Sequence, residues 1–253
     1  MRKELAAAKR FLRSPTKAAA AARDLAELTP NIRLYAAFLF GSMILFWLKP
    51  FDFPDVNAPL PRETQNLAFW FRAMLWQPVV EVAWIVFLLG LVEWLRRGTL
   101  GVRMTMAAAW SAAPVFLILS YAEKGGLSKT ALGIGLFVCF GLFAPLLRRA
   151  PKEERKPVAS FLLGLNAVGL AMLAAMALAT MTSQGWMFKG AQIVGGLWLI
   201  GAATLGVREL TGLRLPRAFM AVFFSLIFQM TFVVGLFFLG IVPKNILKAL
   251  LYG

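Results

Sequence analysis

VASFLLGLNAVGLAMLAAMALATM, residues 158–181, runs for 24 residues without a charged side chain. A hydrocarbon core about 30 Å thick is crossed by roughly 20 helical residues, each rising about 1.5 Å. The stretch is therefore long and apolar enough to span a bilayer. Ala167, Ala171, Ala175 and Ala179 recur at every fourth position, a smooth stripe that lets membrane helices approach closely. Asn166 is its single amide side chain.

Working outward, six more stretches have similar character: 32–48, 77–95, 104–121, 131–147, 187–207 and 218–242. Ala202 and Gly206 repeat the small-residue spacing in the sixth span, while Pro114 in the third and Pro145 near the end of the fourth predict kinks or helix ends. The 60% hydrophobic content of the whole chain and its mean hydropathy of +0.72 exceed what a soluble surface tolerates. The fold class read from these features is all-α: a polytopic transmembrane bundle of about seven spans.

The 27 Lys and Arg against 12 Asp and Glu leave a net charge of +15, which in a soluble chain would raise nucleic acid as a partner. Position argues otherwise, because the cations lie in the short segments between apolar runs. Nineteen of them fall on the N-terminal side of a seven-span arrangement and eight on the other. Since Lys and Arg accumulate in cytoplasmic loops, the N-terminus is expected inside and the C-terminus outside, in a bacterial cytoplasmic (inner) membrane. Neither a cleaved leader nor nucleic-acid binding is expected, and the first span is read as an uncleaved anchor.

The domain reading is a basic segment over 1–31 followed by a transmembrane domain over 32–253. In the basic segment, Leu5–Leu12 and the Ala-rich run after Ser14-Pro15, Thr16–Leu28, are expected to lie as interfacial helices on anionic headgroups, the second ending near Pro30. The connection Lys49–Gln65 carries Pro50, Pro54, Pro59 and Pro61, which exclude a continuous helix. Leu67–Trp76, rich in aromatic residues, reads as an interfacial helix leading to Pro78.

With no His and one Cys, the chain offers no His-zinc site, Ser-His-Asp triad or internal disulfide, and no catalytic, cofactor or metal-binding residue is assigned. Cys139, in mid-span, reads as a small packed side chain. Ionisable residues within spans are costly and point to function by default, which singles out Glu81. Gln77 stands one turn before it on the same face, and Arg72, an interfacial turn earlier, is positioned to snorkel down as its counter-charge. Asn166, Gln192 and Gln229 complete the candidate polar intramembrane set, with interhelical hydrogen bonding as the simpler use. Glu93, beside Arg96 and Arg97, reads as a boundary ion pair.

Three segments resemble the Yip1 family of polytopic membrane proteins. They are Ser14-Pro15 through Pro30 before the first span, Leu91-Val92-Glu93-Trp94-Leu95-Arg96-Arg97-Gly98 leading into Ala107–Pro114, and the closing pair. That pair comprises Trp198-Leu199-Ile200-Gly201, Gly206-Val207-Arg208-Glu209-Leu210-Thr211-Gly212-Leu213 and Arg217-Ala218-Phe219. The family plan implies five spans with the N-terminus inside, which this chain would match with an added pair, spans four and five. The acidic Asp-Leu-Tyr-Gly-Pro segment of GTPase-binding relatives has no counterpart here. The resemblance implies a non-enzymatic membrane-organising, trafficking or adaptor protein, with a transporter or channel subunit built around Glu81 as the alternative. Expected partners are anionic membrane lipids at the N-terminal segment and a membrane protein or a second copy of the chain.

Overall fold

The structure is a computed structural model that describes residues 2–50, 53, 66–123 and 126–252. Most of the proline-rich connection 49–65 lies outside the described residues. Twelve α-helices and no strand occur among the described residues. Seven spans emerge, as their hydropathy requires: α3 (Leu28–Leu48), α4–α5 (Leu67–Met74 and Gln77–Arg96), α6 (Leu100–Ala122), α7–α8 (Lys129–Gly141 and Phe143–Arg149), α9 (Lys152–Met181), α10 (Gly185–Thr211) and α11 (Leu215–Phe238). Helices α1 (Arg2–Arg13) and α2 (Pro15–Ala21) precede them, and α12 (Lys244–Tyr252) follows.

The bundle is assembled around α9, which packs on α3 along one side and α10 along another and also meets α1, α2 and α5. Its small residues explain how neighbours come so close. A Cβ on Gly164 would lie 2.2 Å from the ring of Phe11 in α1, and Phe161 of α9 reaches so near Gly206 of α10 that a Cβ there would lie 1.9 Å away. The four-residue alanine stripe is only partly used: Ala167 and Ala179 are buried, Ala171 is half-buried and Ala175 is exposed.

A second sub-bundle forms from α5, α6, α8 and α11 around an aromatic knot. The ring of Phe87 lies 4.8 Å from Phe143 and 5.9 Å from Phe228, and Trp110 stacks on Phe143 at 4.3 Å. The break between α7 and α8 at Leu142 follows from Pro145. Its ring supplies no N–H and crowds the carbonyl four residues earlier, that of Gly141, so the span turns there. Pro114, by contrast, is buried within an unbroken α6.

Four expectations need correction. Pro30 does not stop a helix but lies in the first turn of α3, where a missing N–H costs nothing. Helices α1 and α2 do not lie apart on a lipid surface; Ala7, Phe11, Ala18 and Ala19 are buried against the bundle. Ser14 does occupy the N-cap of α2 ahead of Pro15, yet its side chain makes no cap hydrogen bond. Trp70 is fully buried rather than part of an exposed aromatic belt, stacked on Phe46 at 5.2 Å, because α4 packs against α3 and α12.

Charged side chains tie the helix ends at one end of the bundle. The guanidinium of Arg217 in α11 donates to the carbonyls of Leu95 (2.8 Å), Arg96 (2.9 Å) and Gly98 (2.7 Å), capping the electronegative end of α5. Arg155 closes the α8–α9 corner by donating to Ala150 (2.8 Å) and Arg148 (3.2 Å) carbonyls. Arg96 bridges Glu93 and Glu154, the ion pair expected for Glu93 being present at 3.5 Å.

Arg217→Ala is expected to destabilise the protein by about 2 kcal/mol, since charge-assisted bonds contribute roughly 1.5–3 kcal/mol each and this site is half-exposed. Arg217→Lys, with a single ammonium against three carbonyls, should recover only part of the loss. Thermal denaturation in detergent reads both; an unchanged Arg217→Ala would show the cap to be incidental.

Candidate functional site

The bundle's polar interior is built on α3 and α5. Asn31, Tyr35 and Ser42 stand at positions i, i+4 and i+11 of α3, which at 3.6 residues per turn places them within about 40° of one another on one face. Each has a buried oxygen with no hydrogen-bond partner: Asn31 Oδ1, the Tyr35 hydroxyl and Ser42 Oγ. Glu81 contributes a fourth such atom, Oε1, from α5. Tyr35 and Glu81 lie within electrostatic reach of each other. Buried polar groups in folded proteins are nearly always paired, and four unpaired oxygens in two neighbouring spans are a departure from that rule.

Around these atoms the interhelical bonds are made by other residues. Trp84 Nε1 donates to Ser225 Oγ at 2.9 Å, joining α5 to α11, and Asn31 Nδ2 donates to Ser160 Oγ at 3.0 Å, joining α3 to α9. Gln229 Nε2 donates to the Val80 carbonyl at 3.3 Å, so its amide lies beside the turn that carries Glu81. Of the residues singled out in the sequence, Gln229 and Glu81 thus come together. Asn166 donates to the Leu163 carbonyl of its own helix at 3.1 Å, which replaces the expected interhelical bond. Gln192, half-buried on α10, has no hydrogen bond among the described residues, and the same holds for Gln77 at the start of α5. Arg72 does not reach Glu81: it is exposed, and its Nε donates back to the Ala68 carbonyl at 3.4 Å, away from the acid. Sequence reasoning missed Asn31, Tyr35 and Ser42, although their spacing was readable as one helical face.

A second polar region lies where the N-terminal helices dock. The side chains of Lys3, Lys9, Arg10, Arg13 and Lys17, with Ser14, Asp24 and Glu27, surround a cleft of about 760 Å³. Arg10 is held by Glu27 at 2.6 Å, Arg33 reaches Glu4 at 2.6 Å, and Arg23 donates to the Glu209 carbonyl of α10 at 2.8 Å. Lys3, Lys9, Arg13 and Lys17 form no ion pair among the described residues and are largely exposed, or wholly on the helix surface. Five cations against two acids give this cleft a net positive potential.

No protein family, curated protein or solved structure matches the chain. The resemblance to the Yip1 family therefore rests on the quoted segments alone.

A carboxyl kept in a bundle without a partner weakens the fold, because a buried polar atom left unmatched costs about 1–3 kcal/mol. Glu81→Leu, which removes that atom at similar volume, is expected to leave the melting temperature in detergent unchanged or raised. Trp84→Phe, which breaks a formed bond to Ser225, should lower stability by about 1 kcal/mol. A marked loss of stability in Glu81→Leu would make the acid a structural element.

Proposed function

We propose that this chain is a non-enzymatic membrane-organising protein whose basic end faces the cytoplasm and holds anionic lipid surfaces. The observation that carries the proposal is the docked N-terminal platform. Helices α1 and α2 are fixed to α9 and α10 by buried Phe11, Ala18 and Ala19, yet they direct Lys3, Lys9, Arg13 and Lys17 around an open cleft. A segment that served only to orient the first span would need charge but no packed apolar face. Under a Yip1-like plan, the added pair of spans would include α9 and so would be built into the packing, not appended to it.

A second reading, a transporter or channel subunit, draws on the unpaired oxygens of Asn31, Tyr35, Ser42 and Glu81. It requires that Glu81 be retained for use at the expense of stability, the outcome that Glu81→Leu tests.

Orientation is checked by cysteine labelling in a Cys139→Ala background. A cysteine at Lys152 is expected to resist an impermeant reagent in intact cells and to react in inverted vesicles; reaction in intact cells reverses the topology.

Lipid recognition is checked with the full chain in neutral phosphatidylcholine nanodiscs presented with free vesicles. Vesicles containing phosphatidylglycerol are expected to be captured and pure phosphatidylcholine vesicles not. Capture should fall as salt shortens the screening length from about 10 Å at 0.1 M to about 3 Å at 1 M. Each cation near an anionic surface contributes up to about 1 kcal/mol, so the triple variant Lys9→Gln, Arg13→Gln, Lys17→Gln should bind at least about tenfold more weakly. Equal capture of both vesicle types would remove the proposal.

A further inference from the structure

Two adjoining cavities between α5, α6 and α8 have opposite characters. One, of about 330 Å³, is walled by Trp94, Met106, Trp110, Leu142, Pro145 and Leu146, with Arg149 at its edge. The other, of about 350 Å³, is lined by Glu93, Arg97, Arg103 and Arg149 and shares Trp94, Leu146 and Arg149 with the first. Each falls in the range of about 300–1,000 Å³ typical of small-molecule sites. The polar cavity lies level with the ends of α5 and α8 and the first turn of α6. From Arg103 to Trp110, and from Arg149 back to Leu142, the wall descends seven residues, about 10 Å, into the apolar layer. Both walls therefore pass from charge to hydrocarbon in the same direction and over the same depth.

Two hydrogen-bonded indoles wall the apolar cavity. Trp94 Nε1 donates to the Arg103 carbonyl at 3.3 Å, and Trp110 Nε1 donates to the Cys139 carbonyl at 3.0 Å, in the last turn of α7 where carbonyls lack helical successors. With their polar atoms satisfied, the two indoles meet edge to face, 6.4 Å apart between centroids, and turn their remaining hydrocarbon surface to the cavity. Met106, Leu142 and Pro145 are exposed, so the mouth of the cavity opens at the bundle surface.

The charge is equally biased. Glu93 is engaged by Arg96, which also holds Glu154, and Arg103 lies over the Trp94 ring at 4.2 Å. Arg97 and Arg149 are exposed and form no ion pair among the described residues. A planar guanidinium matches phosphate oxygens in a two-point fashion, and two such groups converge at this rim.

We propose that this cleft is a specific site for an anionic membrane phospholipid, with one acyl chain along the wall of Met106, Trp110, Leu142 and Leu146 and the phosphate headgroup on Arg97, Arg149 and Arg103. The assignment rests on the orientation proposed above, which puts this end of the bundle in the anionic leaflet, but not on the N-terminal cleft. Charge complementarity selects the headgroup, and the shared wall links it to the chain.

The test uses the full-length protein in nanodiscs containing a small fraction of phosphatidylglycerol with a diazirine in mid-chain, followed by irradiation and peptide mapping. Adducts are expected to concentrate on Met106–Trp110 and Leu142–Leu146. Unlabelled phosphatidylglycerol should suppress them at least fivefold at an excess where phosphatidylcholine does not. Arg97→Gln with Arg149→Gln should reduce the adducts at least fivefold, and Met106→Trp, which fills the chain cavity without touching the headgroup residues, should do the same. Helical content and melting temperature identify any variant that is merely misfolded, and either folded variant alone decides the outcome. Adducts spread evenly over all lipid-facing helices, or equal competition by phosphatidylcholine, would overturn the site and leave annular lipid only. The Lys9→Gln, Arg13→Gln, Lys17→Gln variant separates the two proposals: loss of vesicle capture with these adducts retained leaves the cleft standing, and vesicle capture without localised adducts leaves only the surface reading.

Discussion

Inside hydrocarbon no water is at hand to accept or donate a hydrogen bond, and every polar group of a span must find its partner within the protein. This requirement accounts for the pattern of bonds between helices. Tryptophan and serine join α5 to α11, asparagine and serine join α3 to α9, and a glutamine on α11 reaches the Val80 carbonyl. Hydroxyls with no distant partner turn back on their own helix, as Thr180, Thr204 and Thr231 do by donating to the carbonyl four residues earlier. Against that economy the unpaired oxygens of Tyr35, Ser42 and Glu81 stand out.

Lipid chains are as apolar as leucine, so burial of hydrocarbon does little to join one span to another, and close packing must do more. The bundle meets this need with glycine beneath aromatic rings. Gly164 receives Phe11, Gly90 receives Phe143 and Gly206 receives Phe161. The same device fastens α1 to α9, which makes the N-terminal segment part of the bundle rather than a tail. Fixing it in place in turn defines the shape of the basic cleft beside it.

The spans were legible because length and hydropathy act locally, and seven apolar runs became seven spans with ends shifted by a few residues, except that the second begins at Leu67 instead of 77. What escaped depends on neighbours that are distant in the chain. Leu67–Trp76 has the composition of an interfacial helix, and only the approach of Phe46 and Phe188 shows that Trp70 lies inside. The amphipathic α12 was hidden in a short basic tail after the last apolar run. Glu81 was recognisable from its depth, but the groups around it were not: Tyr35 comes from another span, and Arg72 finds a nearer acceptor in its own helix. The basic cleft falls wholly within the N-terminal segment whose charge was legible, but the paired clefts between α5, α6 and α8 have no sequence signature, since each draws its wall from three elements distant in the chain.

Twelve of the 27 cations divide into two groups once their partners are known. Arg10, Arg23, Arg33, Arg96, Arg155 and Arg217 are engaged by acids or carbonyls and fasten helix ends to one another. Lys3, Lys9, Arg13, Lys17, Arg97 and Arg149 have no such partner among the described residues, and all six line one of two clefts at the same end of the bundle. Topology alone asks for positive charge on that side but not for its concentration around cavities, and like charges brought together repel unless an anion lies between them. The first group holds the helix ends still and so sets the backbone positions from which the second extends. In the proposed lipid-binding role the fold gathers the counter-charges at one surface, and only the ordering of their side chains is left to the binding step.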